Sequence, residues 1–257
     1  MDGRPNRLVI CGDSIATTFG IDPAVGAHPY PEIARSRLGP VGWEVEALVF
    51  GGAMVTVTLD RLSEVKALVP DVVVLAHGTR EAMLMFPRAL RRFRVHPDGE
   101  LPVTDRSWLL RVIQWARRAV YRSYLRVAGS ALGDRVSEAL RIRPFMAPQL
   151  YRENLSVLVD RLEAETDAQL ILLLPQFHRM ATYPWSPGAL ASNRSAACDL
   201  ARRAAGRVAV LDPGAVLSPA DFARDGAHLS AVGHESIAGL LVSLLAEKPG
   251  VMRANRP

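Results

Sequence analysis

The sequence predicts an α/β protein, a three-layer α/β/α sandwich around a five-stranded parallel sheet of the flavodoxin-like kind. Five short apolar runs alternate with segments whose apolar residues recur at helical spacing, and this alternation favours a parallel sheet with helices on both faces. The chain of 257 residues, 49% hydrophobic and 22% charged, can bury one substantial core. We therefore expect a single domain over residues 1–257, with residues 82–150 as a helical insertion.

The predicted strands and helices alternate along the chain. The strands are Leu8–Cys11, Val45–Phe50, Val72–Ala76, Leu170–Leu174 and Val208–Leu211. The helical patterns are Tyr30–Leu38, Thr58–Leu68, Tyr151–Thr166, Ala189–Ala205 and Glu235–Ala246. In open parallel sheets, ligands bind beyond the carboxyl ends of the strands. The polar residues that follow each strand are therefore the candidates for a functional site.

The first strand leads directly into a candidate nucleophile. Gly12 and Asp13 turn the chain sharply after the apolar run and leave Ser14 at the start of the next segment. Serine is a poor nucleophile at neutral pH, so this interpretation requires a histidine base, a group that orients the base and donors for an oxyanion. Asp225 and His228, three positions apart before the last helix, are candidates for the first two roles.

These two stretches, paired at opposite ends of the chain, resemble the first and last sequence blocks of the GDSL family, also called SGNH hydrolases. That family consists of serine esterases, lipases and acyl-ester hydrolases. The resemblance implies that Ser14 is the nucleophile, His228 the base and Asp225 the residue that orients it, and it leaves His234 a structural role. The Gly-x-Ser-x-Gly elbow of α/β-hydrolases does not fit, because Ala16 stands at its second glycine.

Two further blocks lie in order between these ends. The stretch Leu48–Ala53 resembles the family's second block, in which a glycine offers its backbone N–H to the oxyanion, and that role aligns with Gly52. A glycine pair that only turns the chain is the alternative. The family's third block reads Gly-x-Asn-Asp, with the asparagine side chain as another oxyanion donor. In this chain Gly78 is followed by Arg80 and Glu81 at the positions of the asparagine and the aspartate.

Arg80 is the clearest departure from the family pattern, and it leaves two interpretations open. Its planar guanidinium can donate hydrogen bonds to the oxyanion or to an anionic part of the substrate. Alternatively it points elsewhere, and the oxyanion hole has two donors, the N–H groups of Ser14 and Gly52. We expect further substrate-binding positions at Asp13, Gly51, Gly78 and His178. His178 has no partner nearby in sequence, so a structural role also fits it.

The net charge of +5 is concentrated in the insertion. Residues 82–150 contain thirteen arginines, no lysine and five acidic residues. Within this segment, Ser107–Val127 places tryptophans at helical spacing beside a row of arginines, which predicts a basic amphipathic helix. One interpretation is a helical cap packed on the core, with its arginines in solvent. The other is a lid that lines an acyl pocket and presents arginines to an anionic carrier such as coenzyme A, an acyl carrier protein or a lipid headgroup.

The expected partner is a small acyl-ester or thioester substrate, with an anionic or carrier-bound substrate as one version of this hypothesis. Basic amphipathic helices also bind membrane surfaces, a weaker alternative for the cap. No nucleic-acid-binding motif accompanies the charge, so nucleic acid is not expected. The scattered histidines contain no metal-ligand pattern, and no cofactor or metal is expected.

Two cysteines provide no disulfide framework, and the sequence contains no secretory signal and no apolar run of the roughly 20 residues that span a bilayer. These observations predict a cytoplasmic protein. The predicted activity is hydrolysis of a carboxylic ester or thioester through an acyl-enzyme on Ser14. The alternatives are an acyltransferase that passes the acyl group to an alcohol or amine, and a non-catalytic binding protein on the same fold.

Overall fold

The computed structural model of the chain describes residues 4–17, 28–85, 123, 135–136, 139–176, 185–204, 206–223 and 227–246. Its strands are β1 (Asn6–Gly12), β2 (Trp43–Val49), β3 (Val72–Ala76), β4 (Leu84–Met85), β5 (Arg143–Pro144), β6 (Gln169–Leu173) and β7 (Val208–Leu211). Its helices are α1 (Tyr30–Leu38), α2 (Val55–Asp60), α3 (Leu62–Ala67), α4 (Thr79–Ala82), α5 (Pro148–Glu165), α6 (Pro187–Arg203) and α7 (Ala231–Ala246).

The main sheet has five parallel strands in the order β2-β1-β3-β6-β7. The predicted fold class is confirmed, and the five predicted strands are the ones found, with bounds that differ by up to two residues. The strand order reverses at β1, because the chain crosses from β1 to β2 on one side and then returns to β3 on the other. Such a switch point opens a crevice at the carboxyl ends of the strands.

Burial on both faces explains why the first strand is a continuous apolar run. Leu8 and Ile10 pack in the core cluster formed with α1 and α7, whereas Val9 and Cys11 pack in the cluster formed with α5 and α6. All four side chains are fully buried. Successive side chains of a strand point to opposite faces, so a central strand covered by helices on both sides must be apolar at every position.

The helices differ from their predicted bounds for identifiable reasons. The single helix predicted over Thr58–Leu68 is wrong: it is divided at Arg61, whose backbone leaves the helical region between α2 and α3. Helix α7 begins four residues before its predicted start. Its first turn includes Gly233, where an added Cβ would lie 2.1 Å from the carbonyl oxygen of Asp221. This glycine permits close packing and does not mark a helix boundary.

The two ends of the predicted insertion lie side by side and are hydrogen-bonded to each other. Strand β4 pairs with β5 in an antiparallel ladder, and the N–H of Phe145 donates to the carbonyl of Met83 at 2.8 Å. The N–H of Met146 donates to the carbonyl of Glu81 at 3.2 Å. Apart from Ser123, the predicted helix over Ser107–Val127 lies outside the described residues, so the two interpretations of the cap remain predictions. Among the described residues, no helix has the length and hydropathy of a transmembrane segment.

The carboxyl ends of the three strands nearest the switch point are level with one another. Gly12, at the end of β1, pairs in register with Val49 of β2 and Ala76 of β3. The segments that continue from these strands therefore start at the same edge of the sheet. Beyond β3 the chain turns at Gly78, whose φ of 106° is in the region that favours glycine.

We expect Gly78→Ala to destabilise the fold by about 2–5 kcal/mol, from a strained backbone and from overpacking. A Cβ at this position would lie 2.9 Å from both Pro175 Cγ and Tyr151 Oη. Gly206→Ala is the control, because Gly206 has a φ of 96° but no described atom within 4 Å of the added Cβ. Urea unfolding of both variants measures the difference. Equal losses would show that the contacts with Pro175 and Tyr151 relax without cost.

Candidate active site

The hydroxyl of Ser14 and the imidazole of His228 meet at the carboxyl edge of the sheet. Ser14 Oγ and His228 Nε2 are 3.0 Å apart, although 214 positions separate them in sequence. Ser14 is half-buried, and His228 is 8% exposed. A hydroxyl and a ring nitrogen at this distance form a hydrogen bond, which is the arrangement that a nucleophile and its general base require. The structure thus brings together two of the predicted catalytic residues.

Local backbone structure holds each of these two side chains. Ser14 begins a short 3-10 turn, and the Asp13 carboxylate caps this turn by accepting the N–H of Ile15 at 2.9 Å. His228 is held through its own backbone, because its carbonyl accepts the N–H of Ala223 at 2.8 Å. Leu229 is buried in the core beside α7. The predicted orienting residue, Asp225, lies outside the described residues, so its role remains a prediction.

The Asp13 carboxylate faces the interior of the protein. Asp13 is 2% exposed, and burial raises the pKa of its carboxyl to about 6. The hydrogen bond from the Ile15 N–H and the electrostatic interaction with His228 each lower that pKa, but by less than burial raises it. The contacts of Asp13 are thus with backbone groups beneath Ser14. Gly78 is buried as well, and the contact of Asp13 and Gly78 with substrate remains a prediction.

Two of the predicted oxyanion residues, Gly52 and Arg80, lie in the segments that follow β2 and β3. Gly51 and Gly52 are exposed, and Gly52 has a φ of 72°, which a glycine adopts without strain. In the part of the chain that the structure describes, the backbone N–H groups of Ser14 and Gly52 donate to no acceptor. They are thus able to donate to a bound substrate.

The Arg80 guanidinium lies beside Gly52. A Cβ built on Gly52 would be 3.9 Å from both Nε and Nη2 of Arg80. The guanidinium carbon is 3.9 Å from the centre of the Phe145 ring, and Nη1 is 3.6 Å from Met83 Sδ. Cation–π contact with Phe145 holds the planar group in place. The edge formed by Nε and Nη2, which can donate two parallel hydrogen bonds, is therefore the edge nearest Gly52.

Glu81 is a site residue whose role the sequence did not reveal. Its side chain is fully buried between the two loops that carry Gly52 and Arg80. Oε1 accepts the N–H of Val55 at 2.7 Å, and Oε2 accepts the N–H of Gly78 at 2.8 Å. Burial and, to a smaller extent, nearby Asp13 raise the pKa of the Glu81 carboxyl to about 7, and hydrogen bonds from backbone N–H groups oppose the shift.

Buried polar residues behind the site were also not predicted. Asn193 donates from Nδ2 to the carbonyl of Gly78 at 2.9 Å. Thr58 Oγ1 and His77 Nε2 are 2.9 Å apart, and burial lowers the pKa of His77 to about 4. The signal in the sequence is a polar residue, His77, directly after the apolar run Val72–Ala76.

Of two further histidines near the predicted site in sequence, the structure describes His234 and does not describe His178. His234 accepts the N–H of Tyr30 on Nδ1 at 3.1 Å and is fully buried, in agreement with its predicted structural role. His178 lies outside the described residues, so its contact with substrate remains a prediction. Among the described residues, no group of three or more His, Cys, Asp or Glu side chains is arranged to hold a metal ion.

A sequence model of the GDSL-like lipase/acylhydrolase family matches residues 10–236, which is most of the chain. The chain belongs to this family. The predicted resemblance and the predicted class of enzyme, an esterase of the GDSL type, are therefore confirmed. Comparison of this GDSL chain with curated proteins gives no match.

Solved structures similar to this GDSL protein support the same fold. A lipase/acylhydrolase from Enterococcus faecalis is 17% identical, with 95% of this chain and 96% of that chain covered and a TM-score of 0.59. The structure of TesA is 16% identical, with 94% and 99% covered and a TM-score of 0.57. A catalytic mutant of an acetylxylan esterase from Geobacillus stearothermophilus is 17% identical, with 94% of both chains covered and a TM-score of 0.55.

We expect Glu81→Gln to change how stability depends on pH. Because burial raises the pKa of Glu81 from 4.5 to about 7, folding favours its protonated form. The stability that this group contributes is present below pH 4.5 and is lost as the pH rises towards 7. The wild type should thus lose on the order of 2–3 kcal/mol relative to the variant between pH 4.5 and 8.

Urea unfolding of both proteins at pH 4.5, 6 and 8 measures this change. The His77 group titrates in both proteins, so the difference between the two curves reports Glu81 together with its interaction with Asp13. A wild type that becomes more stable relative to the variant as the pH rises would contradict the prediction. That result would mean that the two N–H donors outweigh the cost of burying the carboxylate.

Proposed function

We propose that the protein hydrolyses a small carboxylic ester or thioester through an acyl-enzyme on Ser14. The observation that carries this proposal is the 3.0 Å contact between Ser14 Oγ and His228 Nε2 at the switch point of the sheet. Membership of the GDSL-like lipase/acylhydrolase family supports the reaction class. The same contact argues against a binding protein without activity, because binding alone does not require a base beside a hydroxyl.

The first half of the reaction forms the acyl-enzyme. His228 Nε2 accepts the proton of the Ser14 hydroxyl as Oγ attacks the substrate carbonyl carbon, and the carbonyl π electrons move to the oxygen. The resulting tetrahedral intermediate collapses, the bond to the leaving alcohol or thiol breaks, and the imidazolium returns its proton to that leaving group. In this proposal Asp225 orients the imidazole and stabilises its positive charge.

Water completes the cycle. It loses a proton to His228 as it attacks the acyl carbon, and collapse of the second intermediate returns the proton to Ser14 Oγ and releases the carboxylic acid. An alcohol or amine in place of this water would make the same site an acyltransferase. The two outcomes share the acyl-enzyme and differ only in the acceptor.

The proposed oxyanion hole consists of the N–H groups of Ser14 and Gly52 together with the Arg80 guanidinium. Three observations support it: neither N–H donates within the described part of the chain, Gly52 is exposed, and the guanidinium edge lies near Gly52. Donors already in place where negative charge develops stabilise the transition state without reorganisation. Within this proposal, Asp13 and Gly78 support the backbone of the site, while Gly51 borders the substrate.

Ser14→Ala should lower kcat by about 10⁵–10⁶-fold, because the covalent route depends on this oxygen. The assay is release of p-nitrophenol from the acetate, butyrate and octanoate esters by purified protein. Ser36→Ala is the control: Ser36 is exposed on α1 and donates to the carbonyl of Ile33, so its loss should leave turnover unchanged. Turnover by Ser14→Ala at the wild-type rate would disprove the acyl-enzyme proposal.

Arg80→Ala should lower kcat by about 10²–10³-fold with little change in KM, because an oxyanion donor acts mainly in the transition state. Arg80→Asn should recover part of the loss by restoring a neutral amide donor. The assay compares p-nitrophenyl acetate with the mono-p-nitrophenyl ester of glutaric acid, which carries a carboxylate. A loss confined to the anionic ester would show that Arg80 recognises substrate charge and is not an oxyanion donor.

A further inference from the structure

One buried carboxylate links the two loops that carry the proposed oxyanion donors. Glu81 accepts the N–H of Val55, the first residue of α2, just beyond Gly52. It also accepts the N–H of Gly78, which precedes α4 and its residue Arg80. These loops follow different strands, β2 and β3, and the Glu81 side chain joins them with hydrogen bonds of 2.7 and 2.8 Å.

The peptide groups next to Gly78 are held from several sides. The carbonyl of Gly78 accepts from Asn193 Nδ2 at 2.9 Å, and the preceding carbonyl, that of His77, accepts from Tyr151 Oη at 3.3 Å. Asn193 belongs to α6 and Tyr151 to α5, so two helices on this side of the sheet contribute. Asn193 is 1% exposed and Tyr151 is 2% exposed. Water therefore has little opportunity to replace any of these partners.

Burial of the Glu81 carboxylate within this network is unfavourable for its charged form. A buried carboxylate is expensive unless its oxygens are hydrogen-bonded, and replacing such a group with apolar side chains is often neutral or stabilising. Its geometric effect is different. The carboxylate is a rigid planar group, so its two N–H partners are kept a fixed distance apart.

We propose that Glu81 and Asn193 are positioning residues that set the distance between Gly52 and Arg80 in the oxyanion hole. This inference rests on the proposed function of Gly52 and Arg80. Neither positioning residue touches the reacting atoms. Glu81 acts through the backbone of Val55 and Gly78, and Asn193 acts by fixing the Gly78 carbonyl.

The sharpest test is Glu81→Asp, which keeps the carboxyl group but shortens the side chain by one methylene. The shorter carboxylate cannot reach both N–H groups, so the two loops shift relative to each other. Misplacement of catalytic groups by about 1 Å can cost about 10²-fold, and we expect kcat to fall by about that factor with KM almost unchanged. Binding of an alkyl boronic acid, a tetrahedral transition-state analogue, should weaken in parallel.

Asn193→Ala is the second variant. It removes the donor to Gly78 and leaves Glu81 in place, so it carries the test if Glu81→Asp does not fold. The control is Asp71→Asn, at the opposite edge of the sheet, where Asp71 Oδ2 accepts the N–H of Arg7 at 2.8 Å. Like the variants at Glu81, this control weakens a hydrogen bond between a carboxylate and a backbone N–H, so it should lose stability. It should nevertheless keep the wild-type kcat and boronic acid affinity.

Two results would overturn the proposal. One is a folded Glu81→Asp or Asn193→Ala protein with the wild-type kcat. The other is a loss that appears in KM alone, with boronic acid binding unchanged. Ser14→Ala separates this proposal from the function on which it rests: if that variant is inactive while both positioning variants turn over normally, only the positioning role is wrong. If Ser14→Ala remains active, the acyl-enzyme is wrong.

Discussion

The position of the site depends on the burial of β1 at the centre of the sheet. This strand has neighbours on both edges and helices on both faces, so its continuous apolar run is removed from water at the centre of the fold. At Gly12 the chain reaches the carboxyl edge, and the Asp13 cap turns it at once. Ser14 is thereby fixed in the crevice by core packing and does not depend on a flexible loop.

Apolar core packing also positions His228, the partner of Ser14. His228 lies between Ala227 and Leu229, both buried, and the second of these packs against the layer that contains α1 and α7. The imidazole is therefore positioned by the same core cluster that holds Leu8 and Ile10 of β1. A hydrogen bond between residues 214 positions apart is thus secured by apolar packing on each side of it. Pre-organisation of this kind lowers the entropy that the reaction must lose.

Sequence patterns predicted the sheet, and the resemblance to the first and last blocks of the GDSL family predicted the Ser14–His228 pair. Strand runs are apolar and short, and catalytic residues follow strand ends. The Glu81 network leaves no such pattern, since its acceptors and donors are backbone groups and Asn193 is 115 positions from Gly78. The break at Arg61 was missed because helical spacing continues through it. The early start of α7 was missed because Gly233 has the appearance of a helix breaker, and only the nearby Asp221 carbonyl explains it.

Arg80 and Glu81, the two departures from the family pattern, are connected by electrostatics. Asp13 and Glu81 are both buried, and the charge of Asp13 raises the pKa of Glu81. The charge of Arg80 and a hydrogen bond from its backbone both lower the pKa of Asp13. A neutral asparagine at position 80 would provide the backbone hydrogen bond but not the positive charge. The guanidinium therefore offsets negative charge beneath Ser14 while its Nε–Nη2 edge lies near Gly52, and a change at position 80 alters both the support of the nucleophile and the proposed oxyanion hole.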